Sequence, residues 1–312
     1  MKSKRGIEFN FAWLFAIIVG AVIIFIAVFA TTSLIKTSKT ESDTKVAAQL
    51  GILLNPIETS LEEGKYSKII FPEATKIFND CDSRGNFGTQ FISASVSSGI
   101  GERFQEPEIR NSFFNKYLFS DKIEEGKELH VFVKPFKMPY KIADLVFASA
   151  NDFCFVNPPG EIEDEVESLG LENVRINASV GECKRGSKKV CFGSQNNCDV
   201  VVDLNLQTVS KNGSSVYYEG DLIYGAIFAE PGIYECQLRR LMKRNTELAY
   251  VYAAKSDYLT GKGCSSNLGV ELRAFALQAK VNESDNSFKL NFIAQNSKNI
   301  GRRNELLSCK LF

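Results

Sequence analysis

Eight cysteines, one histidine, one dense acidic run and one dense basic run are the side chains here whose type and spacing bear on chemistry. The cysteines are Cys81, Cys154, Cys183, Cys191, Cys198, Cys236, Cys264 and Cys309. An even number of them suits disulfides in an oxidising space. Cys183, Cys191 and Cys198 lie close enough to hold one local bridge. The remaining pairings stay open, and buried thiols packing as small hydrophobes are the alternative. No metal site is expected, because the spacings in that trio do not match the short knuckle that binds zinc. No cofactor is expected either: Gly99-Ile100-Gly101 and Gly261-Lys262-Gly263 lack the spacing that cradles a phosphate and read as turns.

His130 stands alone, so it cannot build a multi-histidine metal site. A hydrolytic triad would have to use it, and no Gly-x-Ser-x-Gly elbow accompanies it. The run Glu161, Glu163, Asp164, Glu165 and Glu167 reads as a solvated helix face whose acids sit near a positive helix start. With Asp203 and His130 it supplies the only loose candidates for an enzyme. Arg239, Arg240, Lys243 and Arg244 fall on one broad side of a long helix. They form either its wet face or a binding face for an anionic lipid head or polyanionic polymer. Lys184, Arg185, Lys188 and Lys189 read as a solvated hairpin tip. The chain carries 37 basic and 37 acidic residues, so no global field favours nucleic acid.

The element that places all of these is at the N-terminus. Lys2, Lys4 and Arg5 precede Phe11–Ile35, which has no charged side chain. As a helix that stretch spans about 37 Å at about 1.5 Å per residue, enough for a hydrocarbon core of about 30 Å. Phe11, Trp13, Phe15, Gly20, Phe25 and Ile35 belong to this anchor. It is longer than the apolar region of a secretory signal, so a retained anchor is preferred over cleavage after Ala30. Positive-inside bias keeps the N-terminus cytoplasmic and puts residues 37–312 outside, in a single-pass protein of the cell membrane. The cysteines and the sequons at Asn177, Asn212 and Asn282 all fall on that outer side.

Three regions follow: an anchor at 1–36, a stalk and helix at 37–64, and an external domain at 65–312 with a mixed sheet to about 225 and helices over 226–312. The fold class is α/β, or α+β. The polar run Thr37–Lys45 reads as a stalk, with Ser42 or Asp43 capping a following helix. Anchor and helix make either one rod or two. Pro56 kinks or restarts the helix. Strands are expected at Phe87–Val96, Phe113–Phe119 and Leu129–Phe136, the last two forming a hairpin around a charged loop at Asp121–Lys127. Residues 144–149 fit either helix or strand. Phe153–Val156, a helix at Glu161–Leu169 between Pro159 and Gly170, and Val174–Ile176 read as a βαβ unit. Strands at Val200–Leu206 and Ser215–Tyr218 flank an Asn212-Gly213 turn. Helices are expected at Ile233–Tyr258, Leu268–Val281 and Phe288–Leu311.

Lys4-Arg5-Gly6 followed by this hydrophobic helix resembles the processing site and packing helix of archaeal type IV pilin-like membrane proteins, which carry a class III signal. The resemblance covers about the first 36 residues. It implies cleavage between Gly6 and Ile7 and a helix that packs against sister helices. The function expected is binding or assembly in the cell envelope, with the lipid bilayer and a protein partner or further copies as partners. The alternative is a membrane-anchored extracellular enzyme.

Overall fold

The computed structural model describes residues 11–60, 66–97, 104, 107, 110–193, 196–264, 266–282 and 286–312. Gly6 and Ile7 lie outside the described residues, as do the side chains of Phe11 and Ile35. The class is mixed α/β: a long N-terminal helix, two mixed sheets and a helical C-terminal part.

Helix α1 runs unbroken over Phe11–Ser60. Of the two arrangements open in the sequence, one rod is formed and the stalk is not a break. No Gly or Pro occurs from Ala21 to Leu50, so the polar residues of the stalk continue the helix. Asp43 is not a helix cap. It is buried mid-helix, and its Oδ1 accepts the Val96 N–H at 2.9 Å.

The first sheet contains β1 (Tyr66–Asp82), β2 (Thr89–Val96), β3 (Asn111–Phe113), β4 (Leu118–Phe119), β5 (Ile123–Lys137) and β6 (Lys141–Ser149), in the order β3-β2-β1-β5-β6-β4. Its register shifts between Ile70 and Thr75, around Pro72, which has no N–H to give a ladder. Two expectations fail here. Asp121–Lys127 is not a loop, because β5 starts at Ile123. Phe113–Phe119 is not one strand of a hairpin with β5: it bends after Phe113, and β4 pairs in parallel with β6. Side chains alternate across the sheet. Val131, Val133, Val146 and Ala148 pack with Leu50 of α1, while Phe132 and Phe147 face the other way into the main core.

The second sheet contains β7 (Phe153–Val156), β8 (Val174–Asn177), β9 (Lys188–Phe192), β10 (Val200–Asp203), β11 (Thr208–Lys211) and β12 (Ser214–Tyr217), ordered β12-β11-β10-β9-β7-β8. Between β7 and β8 lies α2 (Gly160–Leu169), and the two strands pair in parallel, as the βαβ reading requires. Asn212-Gly213 turns with φ of 52° and 74°, a two-residue turn with both φ positive. It joins β11 to β12, so Thr208–Lys211 is a strand in its own right. Lys188 and Lys189 belong to β9 rather than to a hairpin tip.

Helix α3 (Leu222–Phe228) is buried along its whole length between the sheets. Phe228 meets Phe132 of the first sheet at 5.6 Å and Phe153 of the second at 4.6 Å between ring centroids. Gly225 allows this approach, since a Cβ there would come within 2.7 Å of the Phe119 ring. Helices α4 (Pro231–Gly261), α5 (Gly269–Asn282) and α6 (Leu290–Glu305) complete the fold.

The cysteines stand in four pairs at disulfide distance: Cys81–Cys236, Cys154–Cys183, Cys191–Cys198 and Cys264–Cys309. The first ties β1 to α4, and the last ties the α4–α5 connection to the C-terminal tail.

Candidate functional site

Two halves of α1 have opposite environments. Phe15–Leu34 has a mean hydropathy of 2.7 and none of its window is buried in the protein. Trp13, Phe15 and Phe25 are exposed, and a Cβ added at Gly20 would meet open space. Even the polar groups here are turned inward. Thr31 Oγ1 donates to the Ala27 carbonyl at 2.7 Å, and Thr32 Oγ1 to the Val28 carbonyl at 2.9 Å, which satisfies each hydroxyl without water. The helix is long and apolar enough to cross a membrane. In the other half Asp43, Ala47 and Leu50 share one helical face and are buried against the first sheet.

The basic cluster on α4 is not a wet face. From Tyr234 to Met242 only Glu235 and Arg239 escape full burial. Arg240 is wholly buried and donates to the carbonyls of Phe87 at 3.1 Å, Lys116 at 2.7 Å and Phe114 at 3.0 Å, and to Gln237 Oε1 at 2.7 Å. Phe114 and Lys116 lie in the segment that bends after Phe113. Burial pulls the Arg240 pKa down to about 10, still far above neutrality. Lys243 donates to the carbonyls of Ser83 and Gly85, both at 2.6 Å. Arg240 and Lys243 are therefore clamps on loops, and Arg239 and Arg244 are half-buried beside them.

A polar cavity of about 570 Å³ lies between β5, α2 and the turn before α3. Lys134 meets Asp221 Oδ1 at 2.6 Å and pairs with Glu165, whose other oxygen accepts the Tyr224 hydroxyl. Burial pushes the Tyr224 pKa up, with Asp221 adding to it. Glu219 at the rim pairs with Lys298 at 2.6 Å. Glu165 thus departs from the solvated face expected for the acidic run: among the described residues it is the one member drawn into an ion-pair network. The sequence signal was weak, because Lys134, Glu165 and Asp221 are far apart along the chain.

The other candidates have structural partners. His130 Nδ1 shares a hydrogen bond of 2.5 Å with the Tyr66 hydroxyl, and burial holds its pKa below the ordinary value. Asp203 Oδ1 accepts the N–H groups of Asn205 and Leu206, both at 2.9 Å, which makes it a turn residue. Lys188 pairs with Asp121 across the gap between the sheets. Among the described residues no group of three or more His, Cys, Asp or Glu is arranged to hold a metal.

Glu124 is a buried group that the sequence did not reveal. It is 2% exposed, and accepts the Ala150 N–H at 2.8 Å and Asn151 Nδ2 at 3.1 Å, beside Ser149 Oγ at 3.1 Å. Burial raises its pKa to about 7, against the lowering effect of the Ala150 N–H. The segment it holds leads from β6 into β7, so it sits where one sheet passes to the other.

A scan against protein-family models, a search of characterised proteins and a search of solved structures each find no match to this chain.

Proposed function

We propose that this chain is a single-pass, membrane-anchored protein whose extracytoplasmic α/β domain acts by assembly or binding in the cell envelope, in the manner of a pilin-like subunit. The observation that carries the reading is the division of α1. One continuous helix exposes an apolar half and docks its other half on a sheet through Asp43, Ala47 and Leu50. Leu34 to Asp43 is nine residues, or about 14 Å of helix, so the domain begins close above the apolar segment. In lipid, an apolar helix associates through close packing rather than through hydrophobic burial, and Gly20 with Ala21 supplies a small-residue position for it. The basic residues Lys2, Lys4 and Arg5 favour a cytoplasmic N-terminus, and the four cysteine pairs suit an oxidising outer space.

The test is cysteine cross-linking of single Cys variants at positions 17–30 in native membranes under mild oxidant. Assembly through α1 gives disulfide-linked dimers at positions recurring on one helical face. Monomers at every position, with the domain still digested by external protease, would leave only the tether. Full protection from external protease would overturn the topology. Mass spectrometry of the mature N-terminus separates a start at Ile7 from a start at Met1.

A further inference from the structure

The chain carries three Asn-x-Ser sequons, at Asn177, Asn212 and Asn282, and assembly through α1 uses none of them. The tripeptide becomes a glycosylation site where the folded chain leaves room for a bulky saccharide on the asparagine amide. The side chain of Asn282 lies outside the described residues, so the choice is between Asn177 and Asn212. Asn177 closes strand β8 and is half-buried. Its Nδ2 donates to Cys154 Sγ at 3.1 Å and to the Glu182 carbonyl at 3.5 Å. The hydroxyl of the same sequon, Ser179 Oγ, donates to Glu182 Oε1 at 3.0 Å. Both groups that a glycosyl transfer needs are thus engaged, beside the Cys154–Cys183 pair.

Asn212 is the reverse case. It opens the two-residue turn between β11 and β12, and Asn212, Gly213, Ser214 and Ser215 are all exposed. Among the described residues the side chains of Asn212 and Ser214 make no hydrogen bond. Gly213 puts no side chain between them. The strands behind the turn are tied down. Buried Lys211 donates to the Ile227 carbonyl at 3.1 Å, and the Tyr217 N–H donates to Ser287 Oγ at 2.9 Å. The tip therefore projects with a free amide and a free hydroxyl, and a saccharide there displaces no contact. We propose that Asn212 is N-glycosylated from a saccharide carried on a polyprenyl phosphate, an inference that rests on the extracytoplasmic placement of the domain. In the transfer Asn212 Nδ2 bonds to C1 of the first sugar and the bond from C1 to the phosphate oxygen breaks. The phosphate leaves on the lipid, and one amide proton passes to the transferase. The Ser214 hydroxyl is the second group by which the transferase holds the acceptor. A saccharide at this tip keeps the β11–β12 turn out of close packing between copies.

The test is peptide mapping by mass spectrometry of the full chain purified from its native membrane. The peptide containing Asn212 is expected to carry a saccharide, and the peptide containing Asn177 to be bare. Asn212→Gln and Ser214→Ala should each abolish the saccharide, while Ser214→Thr should keep it. Non-reducing mapping checks that all four cysteine pairs are kept in each variant. The proposal is overturned if Asn212 is bare or deamidated, if Asn177 carries the saccharide in its place, or if occupancy at Asn212 survives Ser214→Ala. External protease on intact cells separates the two ways of failing. A digested domain with a bare Asn212 sinks the glycosylation and leaves the topology standing, whereas a protected domain with a bare Asn212 sinks both.

Discussion

Glu124 makes the stability of this protein fall as pH rises through a defined window, and the size follows from its surroundings. Its carboxyl has a pKa of about 7 in the fold against an ordinary 4.5. Between those values the folded chain binds a proton that the unfolded chain has released, so stability declines with increasing pH. Each pH unit in that interval is worth about 1.4 kcal/mol, giving about 3 kcal/mol lost between pH 4.5 and pH 7 and no further loss above. When protonated, Glu124 can donate to Ser149 Oγ, 3.1 Å away. His130 acts with the opposite sign. Its pKa is held low by burial, so its contribution is lost as pH falls. Comparing the protein with Glu124→Gln removes that overlap, since His130 is common to both. The assay is guanidinium unfolding of the full chain in detergent, without reductant, from pH 4.5 to 8.5. The glutamine keeps an acceptor for the Ala150 N–H and carries no charge, so the variant should gain on the parent by up to about 3 kcal/mol as pH rises. Parallel profiles for the two proteins would refute the claim that this carboxyl is held neutral by burial.

Arg240→Met should destabilise by about 3–5 kcal/mol, because it leaves carbonyls that the guanidinium satisfied buried without a donor; chemical denaturation measures it, and a loss under 1 kcal/mol would mean that the loops re-pair. Asp43→Ala removes the acceptor of the Val96 N–H and should cost about 1.5–3 kcal/mol, with faster hydrogen exchange at Val96 and unchanged exchange in α4. Cys81→Ser with Cys236→Ser opens the pair separated by 155 residues, which the chain-entropy account values at about 5 kcal/mol. The same change at Cys191 and Cys198, 7 residues apart, should cost about 2 kcal/mol. Equal losses at the two sites would show that loop size does not govern them.

Local signals were legible and long-range ones were not. Helix α2 could be read from Pro159 before it and Gly170 after it, and most of α4 from the run Ile233–Tyr258, which has no Gly or Pro. The βαβ unit followed from order alone. Strand β1 was missed because Pro72 interrupts the pattern a strand reader uses, although the strand resumes after a register shift. The start of β5 looked like a loop because Glu124, Glu125, Lys127 and Glu128 crowd it; one of those charges is buried, and only its neighbours on β6 and beyond reveal that. Arg240 was misread for a related reason. The start of α4 is enclosed on nearly every side, so the amphipathic period that separates wet from dry faces does not apply there. Composition shows that an arginine is present. Whether five N–H donors face water or carbonyls is decided by residues more than a hundred positions away.

The continuity of α1 bears directly on the proposed membrane anchor. A flexible stalk after residue 36 would let the domain tumble above the membrane, and the apolar segment would then be a tether and nothing more. A helix without Gly or Pro from Ala21 to Leu50 carries orientation from one end to the other, because bending it costs backbone hydrogen bonds. Asp43 on the Val96 N–H and Leu50 in the β-sheet cluster then fix the sheet to the rod. In the proposed membrane-anchored assembly, a domain held in one orientation would present the same surface to every neighbour in the membrane plane. That regularity is what repeated packing between copies needs, and a loosely tethered enzyme has no use for it.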